Sequence, residues 1–139
     1  MERLTAAQTA MQKLYDAARQ SDLSELERDG MIQRFEFCFE LVWKCGKDYL
    51  REIEGIDAAS PKRVIRTFRE LGYFTDEETE QYLEMADARN LTAHTYDAKL
   101  ADKIDVKIRR QYAFMLKYWL DAIIVGARLN EIKTNSDAE

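Results

Sequence analysis

The side chains best suited to chemistry crowd into one stretch, Met85 to Asp97, with the sequence MADARNLTAHTYD. It sets Asp, Arg, Asn, His and Tyr at what reads as one helix end. On a helix, Asp87, Asn90 and His94 share a face, because spacings of three and four stack side chains. Asn90 or Asp87 is then placed to bond an imidazole nitrogen, which fixes the tautomer and raises its basicity. Arg89 falls about 140° round from His94 at 100° per residue. The two converge only if the arginine bends back, or if two chains meet across a two-fold axis. Each residue also has a plainer reading. A lone histidine near a helix C-terminus caps carbonyls and complements the helix dipole, and Tyr96 alone reads as a packing residue at a helix junction.

His94 is the one histidine in the chain. A metal site built on several histidines is therefore excluded, as is any scheme needing two histidines from one chain. No metal and no other cofactor is called for. The cysteines, Cys38 and Cys45, lie seven residues apart in one expected helix. Seven residues of helix rise about 10 Å, too far for a disulfide. They read as reduced core thiols, as expected of a cytoplasmic protein.

The elements that must position the cluster are helical. The chain has 139 residues and a mass of 16.3 kDa, which predicts one domain. It is 46% hydrophobic and 34% charged, the balance of a globular chain rather than a disordered one. With one proline and five glycines, long helices are easy and turn-dense β folds are disfavoured. No run reaches the roughly 18 apolar residues of a membrane span, and the N-terminus lacks the apolar core of a signal peptide. We read no linker, repeat or low-complexity segment: residues 1–133 form one helical domain and 134–139 a flexible polar tail.

The first helix runs from about Leu4 to Arg19 and the second from Glu25, capped by Ser24, to Ile53. The second is apolar round most of its circumference, through Met31, Phe35, Phe39, Val42, Tyr49, Leu50 and Ile53, with Phe37 and Leu41 extending that face. It must be the central helix of a bundle or half of a subunit interface. Its polar stripe, Glu36, Glu40, Lys44, Lys47 and Arg51, reads as a solvated face or places Glu36 or Glu40 beside an active site. A short third helix starts at Ser60-Pro61 and stops at Gly72. The fourth opens with the capping-box spacing Thr75 to Glu78. The fifth, capped by Asp97, runs from about Ala98 to Ile132, with Leu100, Ile104, Ile108, Tyr112, Met115, Trp119 and Ile123 on its inner side. The fold class is all-α, an up-and-down four-helix bundle with one additional short helix.

The formal charge is -5, so bulk charge predicts no broad nucleic-acid affinity and any such binding needs a local basic patch. Two helix faces qualify: Lys62, Arg66 and Arg69 on the third helix, and Lys99, Lys103 and Arg110 on the fifth. Each reads equally as a solvated face or a dock for an acidic partner.

The segments RDGMIQRFEFCFELVWKCGKDYL, SPKRVIRTFRELG and MADARNLTAHTYD resemble, in order and spacing, the nucleotidyltransferase substrate-binding protein family of the HEPN superfamily. That group includes the toxins of HEPN/minimal-nucleotidyltransferase toxin–antitoxin pairs. The specific part is an R-x4-H-x-Y motif, met by Arg89, His94 and Tyr96. The resemblance implies a metal-independent RNA-cleaving toxin, or a non-catalytic subunit that presents substrate to the nucleotidyltransferase. It implies catalytic roles for Arg89, His94 and Asn90, and makes Tyr96 the acceptor of AMP from a small partner nucleotidyltransferase. It also implies a homodimer, which can assemble with that partner into a larger hetero-oligomer. The residue types suit the task. RNA carries its own nucleophile, the 2′-hydroxyl; histidine's ordinary pKa suits a base and an acid near neutrality; arginine holds phosphoryl oxygens without losing its charge. With one histidine per chain, a two-histidine mechanism requires the dimer.

Overall fold

The computed structural model describes residues 1–138, and among them every regular element is helical. Helix α1 spans Leu4–Ala18, α2 Glu25–Tyr49, α3 Pro61–Glu70 and α4 Asp76–Leu91. Helix α5, Ala98–Lys107, passes through a π-helical turn, Ile108–Tyr112, into α6, Ala113–Asp137. The all-α bundle expected from the periodicity is what forms.

Local chemistry sets the helix starts. Ser24 Oγ accepts from Glu27 N–H at 3.1 Å while Glu27 Oε1 takes Ser24 N–H at 3.0 Å. Thr75 and Glu78 repeat this reciprocal cap on α4. Such caps satisfy N–H groups that the first helical turn leaves without partners. Ser60 caps α3 with Pro61 in its first turn, and Gly72, at φ 88°, lets the chain leave it.

Helix α2 packs against α1, α3, α4, α5 and α6. Its wide apolar girth is therefore the signature of a central helix. Phe35, Phe39, Cys38, Val42 and Cys45 are buried. Phe37 remains more than half exposed, at 57%. Gly46 sits where α3 and α6 close on α2: a Cβ there would lie 3.1 Å from both Trp119 and Val64. The helix cost of glycine, about 1 kcal/mol against alanine, is offset by this close approach.

The inner stripe Leu100, Ile104, Ile108, Tyr112 steps by four. On an ideal helix each such step drifts about 40°. The π turn at Ile108–Tyr112 widens the coil and absorbs the drift, so Ile104, Ile108 and Tyr112 all stay buried. A second π turn, Leu50–Glu54, extends α2 until Gly55, at φ 68°, ends it. Between α3, α4 and α6, Phe68, Phe74, Tyr82 and Trp119 form an aromatic cluster, with Phe74 stacked on Tyr82 at 4.2 Å.

Helix α6 continues to Asp137 with its side chains exposed, since nothing in Thr134–Asp137 breaks a helix already running; Glu139 lies outside the described residues. No described helix is long and apolar enough to cross a membrane.

Candidate functional site

The motif sits where α4 ends. After Leu91 the backbone tightens into a 3-10 turn, Thr92–His94. Thr92, buried, drives this: its hydroxyl donates to Arg89 O at 2.7 Å and faces Arg89 Nη1 at 3.4 Å. A side-chain bond back to the i−3 carbonyl competes with continued α-helix. The chain then reverses. His94 O accepts Asp97 N–H at 3.0 Å, and Asp97 Oδ1 caps α5 by taking Lys99 N–H at 3.0 Å and Leu100 N–H at 3.3 Å.

This turn folds Tyr96 back over His94. The Tyr96 hydroxyl is 3.2 Å from His94 Nδ1, and the rings meet edge to face with centroids 5.8 Å apart. Both residues are exposed, Tyr96 to 85%. A phenol this open is available to another protein's active site, and the imidazole beside it can take or give its proton. The bond expected from Asn90 or Asp87 to the imidazole does not form. The 3-10 turn rotates His94 off their face, Asn90 stands exposed, and Asp87 pairs with Lys62 at 2.7 Å.

Arg89 points the other way, against α2. Its Nε lies 3.4 Å from Glu40 Oε1, and its side chain is only about a quarter exposed, at 27%. Glu40 Oε2 accepts from Trp43 Nε1 at 3.1 Å and lies 3.9 Å from Lys44 Nζ. The Arg89–Glu40 contact is an ion pair without hydrogen-bond alignment, for Arg89 Nε is buried and has no aligned acceptor. The polar stripe of α2 thus meets Arg89 through Glu40. Glu36 lies nearby, lining with Thr92 and Thr95 a cleft of about 350 Å3. Nothing in the type of Thr92 marks it as part of the site; only its position three residues after Arg89, where a hydroxyl reaches back to the carbonyl, does so.

Further along, Glu84 ties α4 to the opposite helix, pairing with Lys107 at 3.0 Å and accepting from the Tyr112 hydroxyl at 3.1 Å. The bond from Lys107 holds the Glu84 carboxyl below the usual range, while burial pushes the Tyr112 phenol up. The basic faces are unequal. On α3, Lys62 is committed to Asp87 and Arg69 lies 3.7 Å from Asp76, while Arg66 is exposed. Lys99, Lys103 and Arg110 are all exposed, beginning at the cap that follows the motif. Among the described residues no three His, Cys, Asp or Glu side chains gather as metal ligands.

Residues 1–124 match the family model described as nucleotidyltransferase substrate binding protein like. The chain belongs to this family. The matched span takes in the whole bundle core and ends just after Ile123, the last buried residue of α6. A protein from Thermus thermophilus of known crystal structure is 44% identical, with a TM-score of 0.80, over 84% of this chain and 98% of its own. A chain from a crystal structure described as the toxin-antitoxin with AMP-PNP has the same fold at 15% identity and a TM-score of 0.67, over 88% of this chain and 95% of its own. No curated protein gives a significant match. Within the nucleotidyltransferase substrate-binding fold, then, this member places its R-x4-H-x-Y residues on two sides of one helix end: Arg89 against the bundle, His94 and Tyr96 outward.

Proposed function

We propose that this chain is the HEPN-type partner of a minimal nucleotidyltransferase, a toxin that cleaves RNA without a metal and is neutralised when the partner adds AMP to Tyr96. The observation that carries the reading is the Tyr96 hydroxyl, exposed and 3.2 Å from His94 Nδ1. In the modification, the Tyr96 oxygen attacks the α-phosphorus of ATP. The bond to pyrophosphate breaks, and the phenolic proton leaves through His94 or water. The product carries a bulky anion where the imidazole had been open, which takes His94 out of use. In cleavage, the RNA 2′-oxygen attacks the neighbouring phosphorus and the bond to the 5′-oxygen breaks. His94 takes the first proton and His94 of the partner subunit supplies the second; Arg89, which faces away from His94 of its own chain, steadies the charge on phosphorus across the two-fold axis, with Asn90 beside the motif. The exposed row Lys99, Lys103 and Arg110 gives RNA, or an acidic partner surface, a place to lie.

One observation favours a second reading, a non-catalytic subunit that presents substrate to the nucleotidyltransferase. Arg89 is held by Glu40 of its own chain, as a structural arginine would be. Expression separates the two. Growth arrest by wild type, relieved in His94→Ala, supports the ribonuclease; harmless expression with tight binding of the nucleotidyltransferase supports the presenting subunit. Incubation with the partner and ATP, followed by intact mass, tests the acceptor. A gain of one AMP on wild type and on no Tyr96→Phe chain is expected; an equal gain on both would remove Tyr96 from the role.

A further inference from the structure

Between α1 and the middle of α2 lies an open groove of about 550 Å3, floored by Ala6, Ala10 and Leu41 and flanked by the Phe37 ring. Arg34 and Glu40 also line it. Phe37 is 57% exposed there, an apolar ring whose covering is favourable. Along α2 the charges three residues away are palindromic, arginine before and glutamate after, with Lys13 of α1 at the groove's other wall. Three residues of helix turn about 300° and rise about 4.5 Å. The two charges therefore flank Phe37 on opposite sides, one above and one below.

Such a pattern is complementary to itself. A two-fold axis over Phe37, perpendicular to the line from Arg34 to Glu40, lays each charge of one copy on the opposite charge of the other. The same operation brings the two phenyl rings together at the centre. An isologous contact of this kind closes at two copies. Arg34 suits the part, for its partner within the chain is a carbonyl, Lys13 O at 3.0 Å, rather than a carboxylate. Glu40 has room for it: its side chain is 35% exposed, and beside the ion pairs with Arg89 and Lys44 it accepts a hydrogen bond only from Trp43, fewer than a carboxylate can take.

We propose that a second copy of this chain docks on this face, the two α2 helices crossing at Phe37, and that Arg34 of the partner subunit seats on Glu40. The carboxylate that holds Arg89 is then shared between the copies, so the site of each is completed by the other. This rests on the two-copy reading given above and assigns it a face and a consequence. Like charges meet in any copy that docks with Arg34 over Arg34, which penalises other registers on the same surface.

The test uses the full chain. Phe37→Cys on the axis meets its own equivalent, while Cys38 and Cys45 are buried and do not compete. Mild oxidation is expected to give a covalent dimer by non-reducing intact mass. Arg34→Glu is expected to weaken dimerisation about tenfold or more in sedimentation equilibrium, and Arg34→Glu with Glu40→Arg to restore it to within about threefold. A wild-type dimer that neither cross-links through Phe37→Cys nor responds to Arg34→Glu uses another face; the proposal then fails while the two-copy reading stands. A wild-type monomer at every concentration ends both. Protection of Phe37→Cys from alkylation only when the nucleotidyltransferase is added would give the face to that protein and overturn the proposal.

Discussion

The carboxylate of Glu40 lies 3.4 Å from Nε of Arg89, joining the middle of α2 to the last turn of α4. The pair joins the polar stripe of one helix to the motif of another. It also fixes which way the arginine faces.

Glu40→Gln keeps the shape and the bond from Trp43 but removes the charge that faces Arg89. The pair is a quarter to a third exposed, so its loss costs about 1 kcal/mol or less, read as a small fall in the urea midpoint. RNA cleavage, if Arg89 serves it, is expected to fall further than that, because the guanidinium loses its orientation. A cleavage rate unchanged in Glu40→Gln would mean that Arg89 needs no holding.

Gly126→Ala tests the seam between α6 and the end of α2. A Cβ at Gly126 would overlap the Tyr49 ring, whose hydroxyl is bonded to that of Tyr73 at 2.5 Å. Overpacking of this kind costs about 1–3 kcal/mol, against a gain below about 1 kcal/mol from helix propensity. A net loss of stability is expected in chemical denaturation. A stabilised Gly126→Ala would show that Tyr49 has space to retreat.

The cysteines are expected to be silent. Burial pushes the Cys38 thiol up to about 12 and the Cys45 thiol up to about 11. The folded values lie above the ordinary thiol range, so the protonated form is the one the fold favours. At pH 8 the thiolate fraction is then about one in a thousand or lower, against roughly a quarter for a free thiol. A thiol reagent at that pH is expected to label the native chain slowly and the urea-unfolded chain at once, with two equivalents. Rapid native labelling would contradict the packing round Met11 and Cys38.

Lys99 and Lys103 are both exposed beside the turn that holds His94 and Tyr96. If RNA lies along them, replacing each by alanine lowers the slope of log affinity against log salt by about 0.7 for a single strand. A slope that does not move, with weaker binding of the nucleotidyltransferase instead, would assign the row to the protein partner.

Much of this architecture is legible in single segments. Ser24 with Glu27, Thr75 with Glu78, Ser60 with Pro61, and Asp97 ahead of α5 are caps made within four residues, so the sequence carries their whole cause. The apolar girth of α2 is of the same kind, since periodicity alone requires that it be covered on several sides. The grouping of Arg89, His94 and Tyr96 needed only their spacing and the segments flanking them.

Other features depend on contacts that no local pattern contains. Arg89 meets Glu40 because α4 packs across α2, and nothing near either residue names the other. The stripe Ile104, Ile108, Tyr112 stays on the core only because the coil widens into a π turn, a choice made by what it packs against. Gly46 looks like a weak point in a helix until Trp119 and Val64 close over it. His94 was expected to bond along its helix. The reach of Thr92 back to Arg89 O ended that helix a turn early, and the reversal at Asp97 brought Tyr96 to the imidazole instead. The sequence by itself determined which residues are gathered at the end of α4. Tertiary packing decided their division, Arg89 inward to a carboxylate and Tyr96 outward to solvent, because a half-buried guanidinium needs a counter-charge and an exposed phenol does not.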